Sequence, residues 1–185
     1  NHHQVYLWDI DIDVIREIKS DKCNRKYLPG IKIPANIIAV EKIEEIPIEV
    51  KKIISAVPCR ALRSSLELFR SFSIESICIA SKGFEPDTHA LGHKVVEDEI
   101  KDCSVAVLSG PSFAAEVATG LPTAVTIAAK DIKISQDFSN LFHTDLFRVY
   151  IDSDYIGVQI AGAVKNVMAI AAGISDGLSL GSNAR

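Results

Sequence analysis

Two stretches, Ile53-Ile54-Ser55-Ala56-Val57 and Val105-Ala106-Val107-Leu108, are nearly unbroken apolar runs of strand length. A strand with one wet face alternates apolar and polar side chains. Runs that do not alternate belong to strands covered by helices on both faces, as in a parallel sheet. Working outward from them, further strand-length segments occur at 5–8, 36–40, 76–80, 123–128 and 147–151, and amphipathic stretches at 14–20, 59–70, 88–101, 113–119 and 134–142. The two kinds alternate, which predicts an α/β fold built on a doubly wound, mostly parallel sheet of the Rossmann type. Gly120 and Pro122 mark a helix stop after the fourth amphipathic stretch.

Near Asp152-Ser153-Asp154 the pattern changes, and 156–173 is apolar almost all round its circumference. A helix with no charged face has to be covered on every side. The chain therefore divides into a dinucleotide-binding domain over 1–152 and, over 153–185, the opening helix of an all-α substrate domain. Gln159, Lys165 and Asn166 at the centre of this stretch argue against a bilayer span, so no membrane partner is expected.

The 185 residues are 48% apolar and 24% charged, and 20 Lys+Arg against 24 Asp+Glu give a net charge of −4 with neither sign gathered in a run. That excludes a broad basic footprint, so nucleic acid is not the expected partner; a small molecule is. Cys23, Cys59, Cys78 and Cys103 form no C-x-x-C pair and read as reduced, mostly buried thiols of a cytoplasmic protein.

In an open parallel sheet the ligand crevice lies beyond the carboxyl ends of the strands. Four such places carry chemistry here. After the first strand stand Asp9, Ile10 and Asp11: a carboxylate here accepts ribose hydroxyls and repels a 2′-phosphate, favouring NAD over NADP, or else caps the following helix. Val57-Pro58-Cys59 is a strand end turning into a helix, with Pro58 suited to the first turn. Lys82, between an apolar strand and Gly83, either points its ammonium into the crevice or is a solvated surface group. Gly110 and Ser112 open the helix that begins near Ala114, so backbone N–H groups and a hydroxyl converge there on a ligand, or simply cap the helix. Lys165 in the apolar segment loses solvation of its charged form, which suits a proton donor, unless it snorkels to the surface. Asn166, with Gln159 and Gly173, completes a narrow polar or small stripe on the same helix.

Taken together, the segments 108–117 (Leu-Ser-Gly-Pro-Ser-Phe-Ala-Ala-Glu-Val), 119–124 (Thr-Gly-Leu-Pro-Thr-Ala) and 162–178 (Gly-Ala-Val-Lys-Asn-Val-Met-Ala-Ile-Ala-Ala-Gly-Ile-Ser-Asp-Gly-Leu) resemble the bacterial NAD(P)-dependent glycerol-3-phosphate dehydrogenases. The likeness runs in order over nearly the whole chain. It implies a two-domain enzyme, often dimeric, that reduces dihydroxyacetone phosphate to sn-glycerol 3-phosphate with NADH or NADPH for phospholipid synthesis. By resemblance, Lys165 is the general acid/base, Asn166 orients the substrate, Lys82 touches cofactor and substrate, Gly110 and Ser112 hold the substrate, and Ala114 lies against the cofactor. Many bacterial members carry a basic or imidazole side chain where Ile10 stands. The G-x-G-x-x-G loop is expected ahead of Asn1 together with the first strand, and the phosphate-binding residues beyond Arg185, so residues 1–185 alone are expected to be inactive. Competing readings are a related 6-phosphogluconate or 3-hydroxyacid dehydrogenase and a non-catalytic dinucleotide-binding module.

Overall fold

In the computed structural model, which describes residues 3–184, the apolar runs lie side by side. Strands β5 (Lys52–Ser55), β6 (Ser76–Ile79), β7 (Ser104–Ser109), β8 (Thr123–Ala129) and β9 (Phe147–Asp152) form one sheet in that spatial order. β5, β6 and β7 are parallel, β8 runs antiparallel to β7, and β9 is parallel to β8. Ile54, Cys78 and Ala106 stand in register, as do Ser55, Ile79 and Val107.

The central strands are covered on both faces, as their composition requires. On one face Leu62 and Leu66 of α2 (Cys59–Glu67) and Val95 and Val96 of α3 (Gly92–Glu99) pack on Ile77, Ile79 and Val107. On the other, Phe138 of α5 (Ile132–Phe142) packs on Cys78, Ala106 and Ile127. Full burial of a phenylalanine ring contributes roughly 1.5–3 kcal/mol. β5 departs from the expectation: it is an edge strand, α5 touches it only through Lys52, which pairs with Asp137 at 3.5 Å, and Ile54 is 49% exposed. Its apolar run is thus covered on one face only. Of the four free cysteines only Cys78 is fully buried, and burial pushes its thiol up to about 12; Cys23, Cys59 and Cys103 are half-buried.

Ahead of this sheet, β1 (Val5–Leu7) pairs in parallel with β4 (Ile37–Ala39), and α1 (Ile12–Asp21) packs Val14, Ile15 and Ile18 on them. Between α1 and β4 lies a hairpin absent from the sequence reading, β2 (Cys23–Asn24) with β3 (Leu28–Lys32). Phe69 and Phe72 touch both the core under β4 and the core of the large sheet, joining the two sheets.

After β9, Asp154 caps α6 (Tyr155–Gly177) by accepting from the Gly157 N–H at 2.8 Å. α6 is, by length and composition, long and apolar enough to cross a membrane. Its first turns instead lie over β7 and β8, where Tyr155 and Val158 join the core. Beyond that seat an apolar face is left open, as expected of a helix given without the helices that would cover it: Val167, Met168, Ile170 and Ile174 are 58–65% exposed. Within these residues no element is present to cover the outer half.

Candidate active site at the carboxyl ends of the strands

β6 and β7 end side by side, and the loops after them meet α6. Lys82, three residues past β6, is half-buried and donates from Nζ to the Gly110 carbonyl at 2.8 Å. Ser81 donates its hydroxyl to the Val57 carbonyl, tying this loop to the one after β5. Gly110 takes φ +150°. A Cβ there would sit 2.9 Å from the Ala124 carbonyl oxygen and from Val125 Cα, so only glycine lets the chain turn this close to β8. Gly162 has a matching role on α6, since a Cβ would fall 2.8 Å from Ser109 Oγ and 3.5 Å from Lys82 Cγ. Together these glycines let α6 close over the strand ends, leaving a narrow crevice whose walls include Ser81, Lys82, Ser109 and Gly162.

Lys165 follows one turn later. Its ammonium lies 5.6 Å from the centre of the Phe113 ring, within cation–π reach. It is exposed, so the desolvation expected of it falls elsewhere: burial, and then the charge of Lys165, hold the Lys82 ammonium below the usual lysine range. Two cationic side chains thus lie near one another, Lys82 on the crevice wall and Lys165 outside it, and an anion held between them relieves their repulsion.

The other predicted residues distribute unevenly. α4 (Ala114–Ala118) has Phe113 at its N-cap with no side-chain capping bond, so Ser112 does not cap it; Ser112 is half-buried in the turn, and Ala114, at the first helical position, is exposed. Gly120, at φ +77°, follows α4 as expected of a helix stop. Asn166 is exposed beside Lys165. Gln159 leaves the proposed stripe: its side chain bonds the His93 N–H at 3.1 Å, the His93 ring and the Tyr155 carbonyl. Pro58 occupies the N-cap position of α2, with φ −56°.

Asp9 and Ile10 lie past the end of β1, both exposed. Asp9 accepts from the Asp11 N–H at 2.8 Å, and Asp11 caps α1. Asp11 also accepts from Lys26 Nζ at 2.6 Å and from the Tyr27 hydroxyl at 3.2 Å; the Lys26 contact holds its carboxyl below the usual carboxylate range. Sequence reasoning found no basic group in this corner, because Lys26 arrives from the tip of the β2–β3 hairpin, 15 residues away. Phe113, at the N-cap of α4, and Ser81, two residues past β6, were given no role of their own, the signal for each being only its place beside Ser112 or Lys82.

Set against known proteins, residues 1–135 match the pattern described as NAD-dependent glycerol-3-phosphate dehydrogenase N-terminus, and 154–185 the corresponding C-terminus. The chain belongs to the glycerol-3-phosphate dehydrogenase family. Among its relatives, the glycerol-3-phosphate dehydrogenase [NAD(P)+] of Bartonella henselae is 43% identical over 100% of this chain and 56% of its own length. That of Hydrogenovibrio crunogenus is 42% identical over 99% and 55%. The crystal structure of the glycerol-3-phosphate dehydrogenase of Coxiella burnetii superposes with a TM-score of 0.87 at 37% identity, over 97% of this chain and 56% of that one. The chain spans about half the length of the relatives it matches. Both patterns are of the glycerol-3-phosphate dehydrogenase kind, which separates the family from the competing 6-phosphogluconate or 3-hydroxyacid type.

Proposed function

We propose that the protein reduces dihydroxyacetone phosphate to sn-glycerol 3-phosphate with NAD(P)H, as a cytoplasmic enzyme supplying glycerophospholipid synthesis. The observation that carries this reading is Lys82 on the wall of a crevice at the carboxyl ends of β6 and β7, with the exposed Lys165 near enough for its charge to act on Lys82. An anionic ketone fits such a site, since its charge is neutralised by the cations that also polarise its carbonyl. The strand ends suit a dinucleotide. Asp9 stands where ribose hydroxyls are bound in this fold, and Gly83 and Gly110 keep the crevice rim free of side chains.

A nicotinamide bound beside Lys82 would supply the hydride that reduces the ketone carbon, and would leave oxidised. On the protein side, Lys165 donates a proton from its ammonium to the carbonyl oxygen, completing the alcohol, and regains it from solvent. Lys82 contacts cofactor and substrate, held in place by the Gly110 carbonyl. Asn166 orients the ketone, Gly110 and Ser112 bind the substrate, and Ala114 and Ile10 lie against the cofactor. The acidic corner at Asp9 favours NADH over NADPH. The chain divides functionally at 152/153, with α6 carrying the proton donor across from the second domain.

The test is oxidation of NADH by the full-length protein on adding dihydroxyacetone phosphate. Reduction of NAD(P)+ on adding a 3-hydroxyacid or 6-phosphogluconate, or no NADH oxidation with dihydroxyacetone phosphate, defeats the proposal.

A further inference from the structure

Lys82 is flanked by two ties to the same helix. On one side Ser81 bonds the Val57 carbonyl just before α2. On the other, Gly83 adopts φ +128° and passes Cys59, the first residue of α2, with Cys59 Sγ 3.6 Å from where a Cβ would be. Two residues on, Glu85 is nearly buried, 8% exposed, and takes both prongs of the Arg63 guanidinium at 2.7 and 2.8 Å. Arg63 is one helical turn beyond Cys59 and so on the same face of α2. Its remaining donors reach Glu99 at 2.7 Å and Asp98 at 3.1 Å, both in the last turn of α3, and Arg70 also bonds Glu99.

The loop that Glu85 anchors is closed on itself. The Glu85 N–H donates to the Ala90 carbonyl and the His89 N–H to the Glu85 carbonyl, both at 2.9 Å, while Phe84 bridges to Leu91. A Thr88 hydroxyl bond satisfies the same carboxylate. Such a loop moves as a unit, so the fork at Arg63 fixes the direction in which the chain leaves Lys82. A bidentate guanidinium–carboxylate pair defines both distance and angle, which a lysine in place of Arg63 does not.

We propose that Arg63 and Glu85 are positioning residues that hold Lys82 against the Gly110 carbonyl and into the crevice, coupling the start of α2 to the site. This rests on the reading in which Lys82 serves catalysis. The two are tested separately, because the position of Lys82 has a readout that needs no turnover.

In the full-length protein, Arg63→Met, Arg63→Lys and the isosteric Glu85→Gln are each made alone and on a Lys82→Met background. Arg63→Met is expected to lower kcat/KM for dihydroxyacetone phosphate by roughly 100-fold, the scale of an ångström-sized misplacement. On the Lys82→Met background it should add less than about twofold, because neighbours acting through one group are not additive. The pH dependence of Lys82 acylation, followed by mass spectrometry, should move up toward an ordinary lysine in Arg63→Met and Glu85→Gln. If Arg63→Met does not fold, Glu85→Gln and Arg63→Lys carry the comparison. An equal loss in both backgrounds, or an unmoved Lys82 titration with only a lower Tm, overturns the proposal. An inactive wild type overturns the functional reading alone, and the titration then decides the positioning claim.

Discussion

Replacing Gly110 by alanine is the sharpest test of how the site is built. The new Cβ would lie 2.9 Å from the Ala124 carbonyl oxygen and 2.9 Å from Val125 Cα. Both are backbone atoms of β8, whose pairing with β7 includes Ser109 opposite Thr126, so relief requires the strands to part. A φ of +150° adds a strain of about 1–3 kcal/mol for any residue with a side chain, and overpacking against fixed atoms adds a similar ~1–3 kcal/mol. The sum, about 2–6 kcal/mol, is a large share of the ~5–15 kcal/mol that holds a typical domain together. Thermal unfolding of the full-length protein should show Tm lower by about 5 °C or more. Because the same turn carries the carbonyl that accepts from Lys82, kcat/KM in NADH oxidation should fall as well, by up to ~100-fold. An alanine variant with Tm within about 1 °C of wild type and unchanged turnover would refute the claim that glycine is required for this close approach.

Three further outcomes are expected. Lys165→Ala should cut kcat by ~10²- to 10⁴-fold while NADH still binds, measured by steady-state kinetics and fluorescence titration; near-normal turnover would remove Lys165 as proton donor. The ratio of kcat/KM should favour NADH over NADPH, and Asp11→Asn, by releasing Lys26 from its 2.6 Å pair, should shift that ratio several-fold toward NADPH, as expected of a single exposed charge; an unmoved ratio would place Lys26 outside the cofactor corner. Hydrogen bonds from Arg63 hold Glu85 down to about 2 against an ordinary 4.5, so the stability it contributes is complete above pH 4.5 and fades as the pH falls toward 2. Unfolding curves of wild type and Glu85→Gln should therefore converge over that range, and a gap that stays constant with pH would show that ionisation of Glu85 is not what stabilises the fold.

The central sheet could be read from sequence because β6 and β7 are buried on both faces and therefore carry no polar alternation. β5 has the same composition yet sits at an edge, and composition alone does not say which strand of a set is outermost. The β2–β3 hairpin escaped notice because two and five residues, with Pro29 and Gly30 in the second strand, hold too little periodic signal. Helix α3 was placed from 88 and begins at Gly92, since 83–91 is a loop organised by a distant arginine. In the site, that Lys82 and Gly110 lie just beyond strands followed from the strand pattern, whereas Lys165 is exposed on its apolar helix. Which lysine would be desolvated did not follow, for that depends on how closely α6 approaches the sheet at Gly162. The Lys26–Asp11 pair is tertiary in the same sense.

The place where α6 rests on the sheet also decides how motion would reach the chemistry. Gly162 is the contact point, Lys165 lies three residues beyond it, and the helix continues to Gly177. At 1.5 Å per residue, Lys165 sits ~4.5 Å along the axis from this fulcrum and Gly177 ~22 Å. A tilt of ~5° about Gly162 therefore carries the far end by ~2 Å and Lys165 by only ~0.4 Å. The helix is a lever with its working group on the short arm. Whatever packs on its exposed outer half can rock by ångströms while Lys165 hardly moves.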